Sequence, residues 1–279
     1  MKTPMTQSST QVAVIGAGRW GRLHAEKLSA LPGVSLVAVV DVQVERAREV
    51  ALRHAGCQAF DDLALLPNSI DGATVATPAD TLYDVASALI RRGLNVFVEK
   101  PMAVSVQEAL WLHQAALEQK RTVCVGLVER FNPALRHRLR PRRTLKLRRW
   151  GTGSPGPCGI GLDWAIHDLD LARWLCGDSL RVVAANHDMG CLQISLVAEG
   201  GLRVEIEARS QAAQQRREID FDGERVDLLN SGGDALQAEL HRYSQFIQGA
   251  PPGRLGTSGD ALEALRLLET AQRLLAAAA

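Results

Sequence analysis

The first half of the chain alternates between short apolar runs and longer amphipathic segments. The apolar runs predict buried strands at 12–15, 34–40, 58–60, 70–76, 95–98 and 123–128. Between them, apolar residues recur at helical spacing, which predicts helices after Gly18, over 44–54, over 79–92 and from Ser105 to about residue 119. Strands that alternate with helices are typical of a parallel, doubly wound sheet.

The pattern changes after residue 130. Residues 180–229 form consecutive segments with period-two alternation and no intervening helix, and Gly200-Gly201 is a hairpin signal between two of them. This predicts a mostly antiparallel open sheet. Helices are expected over 163–176, near 233–248 and near 260–278. We therefore expect a loose tail at 1–10, a Rossmann α/β domain at 11–130 and an α+β domain at 131–279.

The turn after the first strand carries Gly16-x-Gly18-x-x-Gly21. In a dinucleotide-binding loop the first glycine makes a tight turn, the second lets a pyrophosphate approach the backbone, and the third lets helix and strand pack closely. A turn that is merely glycine-rich would predict no particular residue further along the chain. Here Asp41 follows the second strand, about 20 residues after the last glycine, which is the spacing of the acid that binds the ribose in dinucleotide-binding folds. We predict NAD(H) in preference to NADP(H), because Asp41 would repel a 2′-phosphate; Arg19 is a nearby cation that would soften this effect.

Composition narrows the class of protein without naming a partner. Lys and Arg total 32 against 31 Asp and Glu. No apolar run reaches the length of a membrane span, so we expect a cytoplasmic protein with no membrane association. The five cysteines lack a C-x-x-C pair, which favours reduced thiols and no metal site.

The segment from Arg130 to Arg149 is strongly basic, with eight arginines, one lysine, one histidine and no acid. An arginine-rich, partly solvated strand and loop explains it, and so do subunit contacts or an anionic substrate. Nucleic acid is not expected, since no nucleic-acid-binding motif is visible.

Two further positions carry the chemistry of a proton-transfer site. Lys100 follows an apolar strand and precedes Pro101, so its ammonium lies at a sheet rim, where it would stabilise negative charge on a substrate oxygen. Asp163, His167 and Asp170 have the spacing of one helix face, which fits a general base with an orienting carboxylate. The alternatives are a strand-end lysine, a helix-capping aspartate and a structural histidine.

In combination these motifs resemble the Gfo/Idh/MocA oxidoreductases. The segments that carry the resemblance are the glycine loop, Val75-Ala-Thr-Pro78, Glu99-Lys-Pro101, Arg130-Phe-Asn-Pro133 and Asp163-x-x-x-His167-Asp-x-Asp170. Residues 125–133, with 166–170, look closest to the branch acting on nucleotide-linked amino sugars.

The resemblance implies hydride transfer between NAD(H) and a hydroxyl-bearing carbon of a sugar derivative. The basic segment and the branch together favour an anionic or nucleotide-linked sugar. The implied catalytic residues are Lys100, His167 and Asp163. The implied cofactor-binding residues are Gly16, Gly18, Arg19, Trp20, Gly21, Asp41, Thr77, Pro78, Glu99 and Lys100. The implied substrate-binding residues are Lys100, Arg130, Asn132, Asp163 and His167.

Three further expectations follow from the resemblance. The Lys100–Pro101 peptide is expected to be cis, and the protein is expected to form a homodimer or homotetramer through its C-terminal sheet. The alternative functions are a non-catalytic NAD(H)-binding sensor of the same fold and a reductase of a non-sugar small molecule.

Overall fold

The computed structural model describes residues 9–137 and 140–278, which fall into two compact units. The first unit comprises 9–102, 111–126 and 236–258. The second comprises 103–110, 127–137, 140–235 and 259–278. The chain enters the second unit at 103–110, returns to the first over 111–126, and returns to it once more with residues 236–258. Most of the expected N-terminal tail, residues 1–8, lies outside the described residues.

The first unit is built on a seven-stranded sheet among the described residues. Its strands are β1 (Thr10–Ile15), β2 (Val34–Val40), β3 (Gln58–Phe60), β4 (Gly72–Val75), β5 (Asn95–Val98), β6 (Val123–Val125) and β13 (Gly256–Thr257). Their order is β13-β6-β5-β4-β1-β2-β3, and every pairing is parallel except that of β13 with β6. The strand order reverses between β1 and β4, and ligands bind beyond the carboxyl ends of the strands at such a point.

Helices connect these strands. They are α1 (Arg19–Ser29), α2 (Val44–Ala51), α3 (Ala79–Arg91), α4 (Val106–Glu118) and α6 (Ala235–Ile247), with one 3₁₀ turn at Leu63–Leu65. Ser105 caps α4, because its Oγ accepts a hydrogen bond from Glu108 N at 3.2 Å, and Glu108 Oε2 accepts one from Val104 N at 3.2 Å.

The fully buried side chain of Tyr243 ties helix α6 to the sheet. Its hydroxyl lies 3.1 Å from Ala73 O and 2.9 Å from Asn95 O. A Cβ at Gly72 would lie 2.6 Å from this hydroxyl, so glycine there makes room for the tyrosine. Burial raises the pKa of Tyr243 well above its usual value, which keeps it a hydrogen-bond donor.

The second unit is built on a six-stranded sheet among its described residues. Its strands are β7 (Thr144–Trp150), β8 (Arg181–Asp188), β9 (Cys191–Val197), β10 (Arg203–Arg209), β11 (Arg216–Phe221) and β12 (Glu224–Asp227). The order is β12-β11-β7-β10-β9-β8, antiparallel throughout except that β7 and β10 are parallel. The fold class predicted from the sequence is confirmed, and β7, from the basic segment, lies in the middle of this sheet.

The helices of this unit are α5 (Ile166–Cys176) and α7 (Ser258–Ala278), with 3₁₀ turns at Val128–Phe131 and Pro133–Leu135. A turn of π-helix, Gly161–Ala165, precedes α5, so the single helix predicted over 163–176 begins with wider coiling. This turn packs on β10, and α5 packs on both β7 and β10. Side chains of β7 alternate: Leu145, Leu147 and Arg149 are buried, while Lys146 and Arg148 lie on the opposite face.

Candidate functional site

The glycine loop after β1 has the geometry of a phosphate-binding turn. Gly16 has φ of +93°, and a Cβ there would lie 2.7 Å from Ala76 O. A Cβ at Gly21 would lie 1.7 Å from Gly16 O, so the helix approaches the strand too closely for any side chain. No described atom lies within 4 Å of a Cβ at Gly18, which leaves bare backbone open to a ligand.

Helix α1 begins directly in this loop. Its N-cap is Gly18, and among the described residues no side chain caps it, so its first N–H groups are oriented for an anion. Arg19 and Trp20 are exposed there, with the Arg19 guanidinium 5.8 Å from the centre of the Trp20 ring.

Asp41 ties the loop to the end of β2. Its Oδ2 accepts a hydrogen bond from Ala17 N at 2.8 Å, and its Oδ1 accepts one from Gln43 N at 2.9 Å. Each carboxylate oxygen can accept a second hydrogen bond. The side chain is thus held rigidly at the rim where ribose hydroxyls of a dinucleotide would be recognised.

Thr77 follows β4, on the other side of the strand reversal. Its hydroxyl is buried and has no hydrogen-bond partner among the described residues. A buried hydroxyl in this state is costly unless something bonds to it. Together with the open backbone at Gly18, it shows that this rim fits a dinucleotide. Pro78, next in the chain, is exposed and directly precedes α3.

Lys100 lies just beyond β5, half-buried, and its peptide bond to Pro101 is cis, as expected. The preceding Glu99 is held by two groups: His24 Nε2 lies 2.9 Å from its Oε1, and Lys100 N donates to its Oε2 at 3.2 Å. A Cβ at Gly126 would lie 3.2 Å from that second oxygen. The carboxylate beside Lys100 therefore has a fixed orientation.

His24 is a residue that the sequence reasoning passed over. It is fully buried on α1 and makes an edge contact with Phe97, with ring centres 5.6 Å apart. A polar side chain on the buried face of a helix that starts at the glycine loop was the available signal. We assign its ring proton to Nε2, because Glu99 offers an acceptor there.

In the second unit, Asp163 and His167 both lie half-buried at the start of the α5 segment. Asp163 belongs to the π-helical turn and His167 to the first turn of α5. Turns of this kind occur frequently at functional sites. Lys100 belongs to the first unit and these two residues to the second.

Asp170, expected on the same face, instead forms a buried ion pair. Arg130 donates from Nε to Asp170 Oδ2 at 2.9 Å and from Nη2 to Oδ1 at 2.5 Å. The same guanidinium lies 3.1 Å from Asp260. Burial alone would lower the pKa of Arg130, but the two carboxylates outweigh it and raise that pKa. The charge of Arg130 is thus balanced within the protein.

Arg149, at the end of β7, is the centre of a second buried cluster. It donates to both oxygens of Asp168, at 3.0 and 2.8 Å, and to Glu129 Oε1 at 3.1 Å. Arg217 also lies 2.9 Å from Glu129. Burial would raise the pKa of Glu129, but these two arginines hold that pKa below its usual value. Burial raises the pKa of Asp168 in spite of Arg149.

Asn132 is also buried, and its role in the structure is local. Its amide nitrogen donates to Leu228 O at 3.0 Å, and its Oδ1 accepts from Ala134 N at 3.1 Å, which starts the 3₁₀ turn. Roles of Arg130 and Asn132 toward a substrate stay predictions.

The described residues contain no group of three or more His, Cys, Asp or Glu side chains placed to hold a metal ion. Within them, no helix has the length and apolar character needed to cross a bilayer.

Comparison with known proteins agrees with the dinucleotide-binding geometry of the glycine loop. Residues 10–127 fit the model of the Gfo/Idh/MocA oxidoreductase family, described as having an NAD-binding Rossmann fold. This part of the chain therefore resembles the NAD-binding domain of that family. In this family the dinucleotide is NAD, and the rim described above is where the fold presents it.

Individual family members are similar over part or all of the chain. UDP-N-acetylglucosamine 3-dehydrogenase from Acidithiobacillus ferrooxidans is 33% identical over 60% of this chain and 54% of its own length. Inositol 2-dehydrogenase 4 from Saccharopolyspora erythraea is 32% identical over 66% of this chain and 59% of its own. The matches thus span little more than half the length of these two relatives.

A solved structure of UDP-N-acetylglucosamine 3-dehydrogenase from Acidithiobacillus ferrooxidans is similar over nearly the whole fold. It is 25% identical, has a TM-score of 0.83, and the match covers 96% of this chain and 98% of that one.

Proposed function

We propose that this protein is an NAD(H)-dependent dehydrogenase that acts on a CH–OH group of a sugar derivative, with a nucleotide-linked sugar as the substrate class. The observation that carries the proposal is the presence of both chemical motifs of the family, Glu99-Lys100-Pro101 beyond β5 and Asp163-x-x-x-His167 entering α5. The similarity to UDP-N-acetylglucosamine 3-dehydrogenase supports the substrate class.

Bound NAD⁺ would accept the hydride that leaves the carbon, while the hydroxyl proton leaves to a base. His167 is the candidate base, since the ordinary imidazole pKa suits proton transfer near neutrality. Asp163 would orient it or the substrate hydroxyl. Lys100 would stabilise negative charge on the oxygen. The Glu99 carboxylate that accepts the Lys100 N–H fixes the backbone of that residue.

The basic segment gives less support to an anionic substrate than its composition suggests. Within the described part of 130–149, Arg130 and Arg149 are buried against carboxylates, and Arg148 Nη1 lies 2.7 Å from Glu218 Oε1. Arg140, Arg142 and Arg143 are exposed. This internal neutralisation, with the similarity to an inositol dehydrogenase, makes a neutral polyol the second candidate substrate class.

A thermal-shift screen in the presence of NADH separates these substrate classes. The ligands are UDP-N-acetylglucosamine, UDP, N-acetylglucosamine and myo-inositol. Binding is detected as a rise in melting temperature, because a ligand at 100 times its Kd stabilises the folded protein by about 2.7 kcal/mol. We expect UDP-N-acetylglucosamine to give the largest shift and N-acetylglucosamine a much smaller one. Stabilisation by myo-inositol alone would contradict the nucleotide-sugar proposal and favour the polyol.

Turnover in the same set of ligands separates enzyme from sensor. NADH formation from NAD⁺ with a stabilising ligand supports the dehydrogenase. Tight binding of cofactor and ligand without any NADH formation or consumption would instead support a non-catalytic sensor.

A further inference from the structure

The loop between β7 and the π-helical turn contacts the candidate catalytic carboxylate. It contains the sequence Ser-Pro-Gly-Pro at 154–157, here named the proline loop. A Cβ at Gly156 would lie 2.9 Å from Asp163 Oδ2, 3.2 Å from its Cγ and 3.3 Å from its Oδ1. Glycine at this position is what lets the carboxylate lie against the loop backbone.

The backbone of Gly156 has little freedom to move away. Pro155 and Pro157 each have a fixed φ, and a following proline also restricts the conformation of Gly156 itself. The Gly156 carbonyl accepts a hydrogen bond from Gly159 N at 3.1 Å, which closes a turn. The φ of Gly156 lies outside the left-handed region, so this angle does not require glycine. A methyl group at 156 would therefore displace the side chain of Asp163 and leave the loop where it is.

The start of the same segment is anchored to the sheet. Gly151 N donates to Arg209 O at 2.9 Å, and Ala212 N donates to Gly151 O at 2.9 Å. A Cβ at Gly151 would lie 2.5 Å from the ring of Trp164, the residue after Asp163. Asp163 and Trp164, two successive residues of the π-helical turn, thus occupy the space that side chains at 156 and 151 would need.

We propose that Gly156 is a positioning residue: the rigid proline loop is a backstop that fixes the orientation of the Asp163 carboxylate for catalysis. This inference rests on the proposed role of Asp163 in the reaction. It assigns a function to a loop glycine that no motif marks, and it predicts that adding one methyl group lowers turnover without unfolding the protein.

The test compares Gly156→Ala with a matched control, Gly153→Ala. No described atom lies within 4 Å of a Cβ at Gly153, and its backbone is also outside the left-handed region. Its carbonyl accepts from Gln211 N at 3.1 Å, a bond that alanine keeps. With NAD⁺ and UDP-N-acetylglucosamine as probes, we expect Gly156→Ala to lower kcat by about 10- to 100-fold, since small misplacements of a reacting group cost this much. The Kd for NADH and the kcat of Gly153→Ala should be unchanged.

A double-mutant cycle separates positioning from a general structural effect. If Gly156 acts only through Asp163, Gly156→Ala should cause no further loss in the Asp163→Asn background. The inference would be overturned if the double variant lost kcat by the product of the two single-variant losses. It would also be overturned if Gly156→Ala had the same kcat as wild type. If Asp163→Asn alone keeps wild-type kcat, the proposed role of Asp163 fails instead.

If UDP-N-acetylglucosamine is not turned over, NMR tests the inference without measuring activity. The carboxyl ¹³C resonance of Asp163, assigned by its loss in Asp163→Asn, should shift in Gly156→Ala and stay in place in Gly153→Ala. An unchanged resonance in Gly156→Ala would overturn the inference.

Discussion

At the scale of single residues, Asp41, the side chain proposed to recognise the cofactor ribose, is held by backbone hydrogen bonds. Asp41 is bonded to Ala17 N and Gln43 N, so its negative charge stays beside the glycine loop whatever the ligand. A 2′-phosphate would meet this fixed charge. Arg19 is the exposed cation of the same loop.

Replacing Asp41 with alanine should narrow the difference between the two cofactors. We expect wild type to bind NADH at least about tenfold more tightly than NADPH, a ratio that corresponds to about 1.4 kcal/mol. Asp41→Ala should bring the two Kd values together in a fluorescence titration. Asp61→Ala, an exposed acid just after β3, is the control and should keep the wild-type ratio. Equal or tighter NADPH binding by wild type would refute the assignment.

At the scale of elements, the start of α5 is held by buried arginines. Arg149 on β7 bonds to Asp168 through both oxygens, and Arg130 bonds to Asp170 in the same way. His167 precedes the first of these carboxylates in the chain. The arginines of the basic segment that the structure buries therefore fix the helix that carries the candidate base.

Replacing Arg149 with methionine should destabilise the second unit strongly. It leaves Asp168 buried without the arginine that binds both its oxygens and leaves Glu129 with Arg217 alone, and breaking a buried ion pair costs about 3 to 5 kcal/mol. Arg148→Met is the matched control, because its partly exposed pair with Glu218 should be worth under about 1 kcal/mol. Urea unfolding at neutral pH measures both. Similar losses in the two variants would contradict the proposed role of the buried cluster.

The same cluster predicts the sign of a pH effect. The pKa of Glu129 is below its usual value of 4.5 in the folded protein, so its ionised form contributes stability above pH 4.5 that is lost as the pH falls through the folded pKa. Arg149→Met removes the main counter-charge of Glu129. The loss of unfolding free energy that this substitution causes should therefore shrink as the pH falls. A cost that grows toward acid pH would contradict this account.

Local patterns predicted most elements but not those set by distant partners. The periodicity placed β3 at 58–60 and β5 at 95–98 with the bounds the structure has. It could not place β7 parallel to β10, because that pairing joins residues about 60 apart in the chain. It also predicted a regular start for α5, where the structure has a π-helical turn against which the distant Gly151 and Gly156 pack.

The candidate site shows the same division. The glycine loop, Asp41 and the Glu99-Lys100-Pro101 motif carry local signals, and the structure gives each the predicted strand-end position. The ion pairs of Arg130 and Arg149 have partners that lie 40 and 19 residues away, so composition alone suggested free positive charge. His24 had no motif of its own and was found only through its contact with Glu99.

At the scale of the whole molecule, we predict a homodimer or homotetramer formed through the second sheet. On β7, β10 and β11 the face opposite the helices carries charges in register: Lys146 lies between Glu205 and Asp220, and Arg148 lies between Glu207 and Glu218. Light scattering at micromolar concentration should give at least twice the mass of the chain. Glu205→Lys should shift this mass toward the monomer, whereas Glu199→Lys, in the β9–β10 turn, should not. A wild-type monomer would contradict the prediction.

The central claim is that the protein transfers a hydride and uses Lys100 and His167 to handle the charge and proton. The most direct measurement is the rate of NADH formation from NAD⁺ and UDP-N-acetylglucosamine for wild type, Lys100→Ala and His167→Ala, with the Kd for NADH determined alongside. His187→Ala, an exposed histidine on β8, is the control. We predict that each catalytic variant loses about 10²- to 10⁴-fold in kcat while the control and every Kd stay within about twofold of wild type. Near-normal turnover by either catalytic variant would contradict the account.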